Sequence, residues 1–392
     1  ELFLHGMLKS KLGYCMNLSL LYLMIGDQLG LPLYGVALPN HFFVRYDSGN
    51  DRINIETTEL GTSYPDSFYE NRFGVQFDSK TPFFTHSLNK KKSLGAYLSN
   101  VGMVYHKNAR PHKSIFYLEP STKINPLSIE AHNNLANIYG EIKQPELAIS
   151  QYKKALKANP SSVPTLFNLA QTYIDLSNNE KAIESFLQVI QIEPTFTQAH
   201  QQLVKIYLKK ENYLGALLHL KQLTKANSND ISAQTSIAKI YNKLGNFKLA
   251  INVVNPIISS NPDNIQAREI LAEIFYNTGD LDRSIAEYRR ILDKNSNYLP
   301  SYIQLGWIYY RKGEFKMATA WTKLGLKLGT PSLQLDSLSS MNLGLYSWLN
   351  NDYVAAKKWY RKAMKGGSKN TLNAILEDLK DTALLFPKKN RS

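Results

Sequence analysis

One cysteine, Cys15, is all that a chain of 392 residues carries, which rules out an internal disulfide and the stapled scaffolds that small secreted domains rely on. Long apolar runs are also missing. Leu18 to Ile25 is short and is followed by Asp27 and Gln28, whereas a membrane span needs ~20 apolar residues in a row. No Gly-rich phosphate loop follows a strand-like run, no His/Cys/Asp group has metal spacing, and no Ser elbow occurs. No metal or cofactor is therefore expected. The chain begins at Glu1 without an initiator Met, a basic n-region or a cleavage-site pattern, so its start reads as a truncation or a processed end. The cytoplasm is the preferred address, with the periplasm or secretion left open.

The length is too great for one ordinary core, and a hydrophobic content of 43% fits a folded protein, so two domains or an extended repeat architecture are expected. Charge is unevenly spread. Residues 1–92 hold nine Lys/Arg and nine Asp/Glu, and the rest of the chain supplies the whole net charge of +14. An acidic partner would suit that excess, and so would a Lys- and Asn-rich habit with solvated faces.

Leu18 to Leu29 is apolar on most sides and poor in β-branched residues, which suits a buried helix; Gly30 and Pro32 end it. Cys15 falls at or just before its first turn, where backbone N–H groups and the macrodipole favour a thiolate. Taken alone, an isolated cysteine in such an apolar setting is more often a small core residue than a nucleophile. Leu33 to Leu38 reads as a strand. HFFVRY (41–46) and RINIET (52–57) then alternate around Asp47-Ser48-Gly49-Asn50 as a hairpin. A turn centred there sets His41 opposite Glu56 and Phe43 opposite Asn54, and leaves Phe42, Val44, Ile53 and Ile55 to pack on the Cys15 helix. Glu56 could then orient an imidazole that serves the thiol. A bulge or a three-residue loop would move Glu56 to the other face and leave Asn54 as the orienting group.

Gly13-Tyr14-Cys15 before a helix, His41 opening a strand and an acid closing the next resemble the transglutaminase-like (papain-like) cysteine fold, in a bacterial form. By that resemblance Cys15 matches the nucleophile, His41 the base and Glu56 the place where many members have Asp. The implied activity is thiol acyl transfer or amide hydrolysis. Between 57 and 92, Gly61, Pro65, Pro82 and many aromatics follow no period, so short elements covering the hairpin are expected there. Lys90-Lys91-Lys92 reads as a solvated linker marking a domain boundary.

From about Gly95 the sequence repeats every 34 residues. Aromatics recur at Tyr105, Tyr139, Tyr173, Tyr207, Tyr241, Phe275 and Tyr309, with a small residue three positions earlier in nearly every unit: Gly102, Ala136, Ala170, Ala238, Ala272, Gly306. Ala148, Ala182, Ala216, Ala250 and Ala318 mark the second halves, and Pro126, Pro160, Pro194 and Pro262 end units. Small residues let paired helices approach, the aromatic fills the gap between pairs, and Pro stops the second helix. The pattern resembles the tetratricopeptide repeat. About eight units are expected over 93–370, the last shifted by an insertion at 333–336. Thr371 to Phe386 should form a capping helix, followed by a basic tail.

In such a solenoid the first helices line the concave surface. Lys205, Lys209, Lys239 and Lys243 would form a basic stripe there, suited to a protein or peptide partner with acidic groups. Trp307, Tyr310, Leu345 and Trp348 would offer an apolar anchor or packing between units. Nucleic acid is not expected as a partner, since no recognition module accompanies the charge, and oligomeric state is left open. The expected architecture is multidomain: a small α+β transglutaminase-like domain over 1–92, an all-α tetratricopeptide solenoid over 93–370, and a cap and tail over 371–392. The expected function is a protein-interaction scaffold carrying a thiol acyltransferase or amide hydrolase; the alternative is an adaptor whose N-terminal domain is an inactive cap.

Overall fold

The structure is a computed structural model and describes residues 15–38, 41–74, 77, 88–329 and 333–366. Gly13 and Tyr14, the aromatics Phe83 and Phe84, the expected capping helix from Thr371 to Phe386 and the tail lie outside the described residues. Two compact units divide the chain, Glu1–Lys210 and Glu211–Ser392.

The first unit opens with helix α1 (Cys15–Gln28), strands β1 (Leu33–Leu38), β2 (His41–Asp47) and β3 (Arg52–Ile55), and helix α2 (Asp66–Phe73). Gly30, at φ 68°, ends α1, and the Leu31 N–H returns to the Gly26 carbonyl at 2.8 Å. The antiparallel sheet has the order β1-β2-β3. Its alternation buries two faces. Phe42, Val44 and Ile55 meet Met16, Leu20 and Leu23 of α1, while Val36, Leu38 and Phe43 meet Tyr69 of α2.

The hairpin register differs from the expected one. Arg45, not Phe43, stands opposite Asn54, and Asp47 pairs with Arg52. The loop is Ser48-Gly49-Asn50-Asp51, one residue later than expected, because Asp47 stays in β2 and uses its carboxylate to close the turn. That carboxylate accepts from Gly49 N–H at 3.0 Å and from Arg52 Nε at 3.3 Å. The resulting offset of two residues keeps every side chain on its face, since the strand period is two.

Helix α3 (Lys90–Lys107) starts where a solvated linker was expected. Asn89 caps it by accepting from Lys92 N–H at 3.0 Å. The helix belongs to the sheet domain as much as to the helix pairs: Leu88 bridges to Gly35 of β1, and Ala96 and Tyr97 pack on the α1 core. The expected boundary at 92/93 thus falls inside α3.

Helix pairs then succeed one another: α3 with α4 (Pro111–Ile124), α5 (Ile129–Glu141) with α6 (Pro145–Ala158), α7 (Val163–Asp175) with α8 (Asn179–Ile192), and α9 (Thr197–Lys209) at the end of the unit. Their packing follows from the small residues. Ala136, Ala148, Ala170 and Ala182 are fully buried, and a Cβ added at Gly102 would lie 2.8 Å from Leu118 Cγ and 3.1 Å from the Ser114 carbonyl. Proline acts as expected, with α4, α6 and α8 each ending two residues before Pro126, Pro160 and Pro194. The linkers are tied down by side chains: His132 Nε2 lies 3.1 Å from the Pro126 carbonyl and His200 Nε2 3.0 Å from that of Pro194.

The second unit continues with α10 (Tyr213–Ala226), α11 (Ile231–Lys243), α12 (Phe247–Ser260), α13 (Ile265–Asn277), α14 (Leu281–Lys294), α15 (Leu299–Arg311), α16 (Phe315–Lys327), α17 (Leu333–Leu349) and α18 (Tyr353–Gly366). The linker tie recurs with other donors, Gln234 to the Ser228 carbonyl at 2.7 Å and Arg268 to that of Pro262 at 2.5 Å. The segment 333–336, expected as an insertion, is helical and lengthens α17 to 17 residues where α15 has 13.

Candidate functional site

Cys15 is the first residue of α1 and is half-exposed. Its backbone is pinned from the end of β3, where Thr57 Oγ1 donates to the Cys15 carbonyl at 3.3 Å and shares a 2.9 Å hydrogen bond with Ser19 Oγ. The next residue back, Glu56, points the other way, as strand alternation requires, and is 3% exposed. One short run therefore fixes both the helix that carries the thiol and the carboxylate that faces the histidine.

His41 opens β2, and its Nε2 lies 2.7 Å from Glu56 Oε2. The two are diagonal rather than directly opposite, within reach because both side chains share a face. Cys15 lies near enough to act on the same imidazole. Burial disfavours the charged imidazole, but the hydrogen bonds to Cys15 and Glu56 and the charges of these two partners outweigh it and raise its pKa to about 9. Glu56 is likewise buried against its own ionisation, yet hydrogen bonds from His41 and Thr58, the latter at 2.9 Å from Thr58 Oγ1, hold its carboxyl below the usual range.

Helix α2 supplies a wall that the sequence did not reveal. Phe73 stacks on the imidazole, with ring centroids 4.9 Å apart and planes at 10°, and Tyr69 stacks on Phe43 at 4.2 Å. Asn54 belongs to the latch that holds this helix rather than to His41. Its Nδ2 donates to Asp66 Oδ1 at 2.7 Å and to the Tyr64 carbonyl at 3.0 Å, and its Oδ1 accepts from Arg45 Nε at 2.8 Å. Arg45 Nη2 donates to Asp66 Oδ1 at 2.6 Å. The Arg45–Asn54–Asp66 set therefore ties the sheet to the N-terminus of α2, whose far end carries Phe73. The unbroken run Tyr64-Pro65-Asp66, a turn with an acid ahead of aromatics, is the signal that could have shown this helix start.

A model of the transglutaminase-like superfamily matches residues 1–86, and tetratricopeptide-repeat models match 129–162, 151–184 and 235–298. The chain carries a transglutaminase-like domain followed by tetratricopeptide repeats. Repeats of this family make its second part a protein-interaction scaffold. No match is found among curated proteins. Solved structures similar to the chain include a tetratricopeptide repeat protein from Parabacteroides merdae, at 19% identity, covering 64% of this chain and 98% of that one with a TM-score of 0.41. YrrB, a tetratricopeptide repeat protein with an unusual peptide-binding site, is 17% identical and covers 45% and 92%, with a TM-score of 0.36. MamA from Desulfovibrio magneticus is 17% identical over 42% and 94%, with a TM-score of 0.38.

On the tetratricopeptide helices, Lys205 and Lys209 are exposed on α9 in the first unit. Lys239 and Lys243 are exposed on α11 in the second, where their charge acts on Glu273 of α13 and is partly answered by it. Trp307 and Tyr310 lie in packing between helix pairs: their rings meet edge-on at 5.7 Å, and Tyr310 lies 5.4 Å from buried Tyr346. Trp348 meets Tyr353 edge-on at 5.0 Å. Among the described residues no helix is long and apolar enough to cross a membrane, and no group of His, Cys, Asp or Glu could hold a metal ion.

Proposed function

We propose that the N-terminal domain is a thiol enzyme of the acyl-transfer or amide-hydrolysis type, mounted on a scaffold that recruits its protein partner. The observation that carries this reading is the 2.7 Å contact of His41 with Glu56, on an imidazole that Cys15 also acts on. In the first step Sγ of Cys15, as the thiolate beside the protonated His41, attacks the carbonyl carbon of an amide. As the C–N bond breaks, the imidazolium returns the proton to the leaving amine, and a thioester remains. Water or a second amine then attacks the thioester carbonyl, giving its proton to His41. The C–S bond breaks, the thiolate is released beside the imidazolium that keeps that proton, and an acid or a new amide leaves. Glu56 keeps the ring oriented and offsets its charge in both steps. Phe73 holds the ring plane from the other side.

We assign the residues up to the start of α3 to this domain and the helix pairs from α3 onward to the repeats, with α3 shared between the two. Lys205 and Lys209 on α9 are the exposed cations for an acidic partner on the first-helix face; Lys239 and Lys243 have Glu273 beside them and are weaker candidates. The thiol reading is tested by the rate of Cys15 alkylation with iodoacetamide against pH. Replacement of His41 by Ala should displace the profile by about a unit or more. A profile that stays where it was would make the domain a silent cap on the array.

A further inference from the structure

The 34-residue pattern is broken at two neighbouring positions, Thr122 and Leu127. At the position of Thr122 near the end of α4, other units carry Leu156, Ile190, Ile258, Leu292 and Leu326, all packed against the cores of their units; only Thr224 shares the hydroxyl. Thr122 is smaller, and its Oγ1 turns away to donate to the Glu119 carbonyl at 2.9 Å. The position of Leu127 in the following linker is otherwise polar: Ser161, Thr195, Asn229, Asp263 and Asn297. Leu127 is instead apolar and 64% exposed.

These two departures open and edge a cleft of about 490 Å³ between α4 and α6, floored by His132 and Leu135 of α5. Lys123, Lys154 and Lys157 line it and are exposed, and no ion pair joins any of them to a described residue. The one acid in the lining, Glu119, has its carboxylate engaged by the Tyr139 hydroxyl at 2.9 Å. An apolar slot, an exposed leucine at its edge and three unanswered ammonium groups around it are complementary to a short segment with one apolar side chain flanked by carboxylates.

We propose that this cleft docks an acidic segment of a partner protein, which inserts an apolar side chain beside Leu127 and Leu135 and sets its carboxylates against Lys123, Lys154 and Lys157. The proposal rests on the reading of the array as a partner-binding scaffold and is independent of any chemistry at Cys15. It places the contact on the second helices of the first two pairs, away from the first-helix face that carries Lys205 and Lys209.

The experiment titrates the full chain into a fluorescein-labelled peptide, Glu-Asp-Leu-Glu-Glu, and into its Leu-to-Ala counterpart, reading anisotropy. The double replacement Lys123→Glu/Lys157→Glu should weaken binding of the first peptide at least about tenfold. Thr122→Leu installs the residue that neighbouring units carry, so it should leave thermal unfolding unchanged or raised. It should fill the slot, weakening the Leu peptide about fivefold and leaving the Ala peptide as it was. Equal binding by wild type and by all cleft variants overturns the proposal. If Lys205→Glu/Lys209→Glu abolishes binding while the cleft variants retain it, the cleft falls and the scaffold reading stands. If neither peptide binds at low salt, the cleft proposal is overturned for this class of partner. Alkylation of Cys15 does not enter the titration, so its outcome bears only on the enzyme reading.

Discussion

The sheet domain and the helix pairs keep their polar groups in different places. In the domain, Arg45, Asn54, Glu56 and Thr57 are all buried and bonded to one another's neighbours across 9 to 42 residues of chain. In the array, alanines, leucines and isoleucines make up much of the buried surface, and the polar groups buried among them are mostly small hydroxyls, Ser114, Thr165, Ser284 and Ser301 among them, with one largely buried ion pair, Arg268–Glu287, in the second unit. One region is held by charge-assisted hydrogen bonds in a site that water barely reaches, the other by close packing of small residues. Between pH 6 and 9.5 the domain should therefore respond more strongly than the array.

All four tryptophans of the chain lie in the second unit, so tryptophan fluorescence follows the array alone, while amide exchange in β2 and β3 follows the domain. The largest separation is expected from Asp66→Ala, which strands the guanidinium of Arg45, 2% exposed, beside Asn54. Loss of one partner of a buried pair costs about 3 kcal/mol, reduced here by whatever Asp66 keeps of its own hydration. Exchange protection in the strands should fall by that amount with the fluorescence transition unmoved. If both move together, the two regions are one cooperative body and the contrast is void.

A somewhat smaller effect should come from pH. His41 has a folded pKa of about 9 against 6.5 for the free group, so its contribution is complete below pH 6.5 and is lost as pH rises towards 9. Glu56 has a lowered pKa and acts in the opposite sense, its contribution being present above the ordinary carboxyl range and lost as pH falls below it. Between pH 6 and 9.5 the domain should lose about 2 kcal/mol of exchange protection. Glu56→Gln should flatten that slope. A slope of equal size in the variant would mean that the His41–Glu56 contact does not carry it.

The same contrast governs what could be read without a structure. The array was legible because its contacts are local and its period rigid; even the extra turn of α17 showed as a shift of four residues. In the domain, strand alternation sufficed to put His41 and Glu56 on one face. The register was missed because a side chain, Asp47, closes the loop. Helix α2 and its Arg45–Asp66 latch were missed because the segment after Glu56 has no period, and the partners meet only once the sheet exists. Thr57 was missed for the same reason. Its tie to the Cys15 carbonyl crosses 42 residues and leaves no mark in either local pattern.

The smallest effect belongs to the array and concerns its backbone rather than its core. Each turn between the helices of a pair holds one residue in the left-handed region: Gly245, Gly279 and Gly313 in three later units, but Ala109 (φ 54°), Lys143 (φ 61°), Ser177 (φ 57°) and Glu211 (φ 55°) in earlier ones and Asn351 (φ 63°) in the last. The geometry is imposed by the turn itself, in which the N–H of the following residue returns to a helix carbonyl, as Gln144 does to Tyr139 and Asp280 to Phe275, both at 2.8 Å. A side chain there costs about 1 kcal/mol through the clash of Cβ with the backbone, part of which glycine gives back as unfolded-state entropy. Lys143→Gly and Ser177→Gly should each stabilise their unit by about 0.5 kcal/mol, and Gly279→Ala should destabilise its own by about 1 kcal/mol. Thermal unfolding of the three variants checks this, and it should be independent of pH between 6 and 9.5, unlike the domain. Destabilisation by Lys143→Gly would mean that the lysine side chain holds the turn by contacts that outweigh its backbone strain, and that the early units are not built as the later ones are.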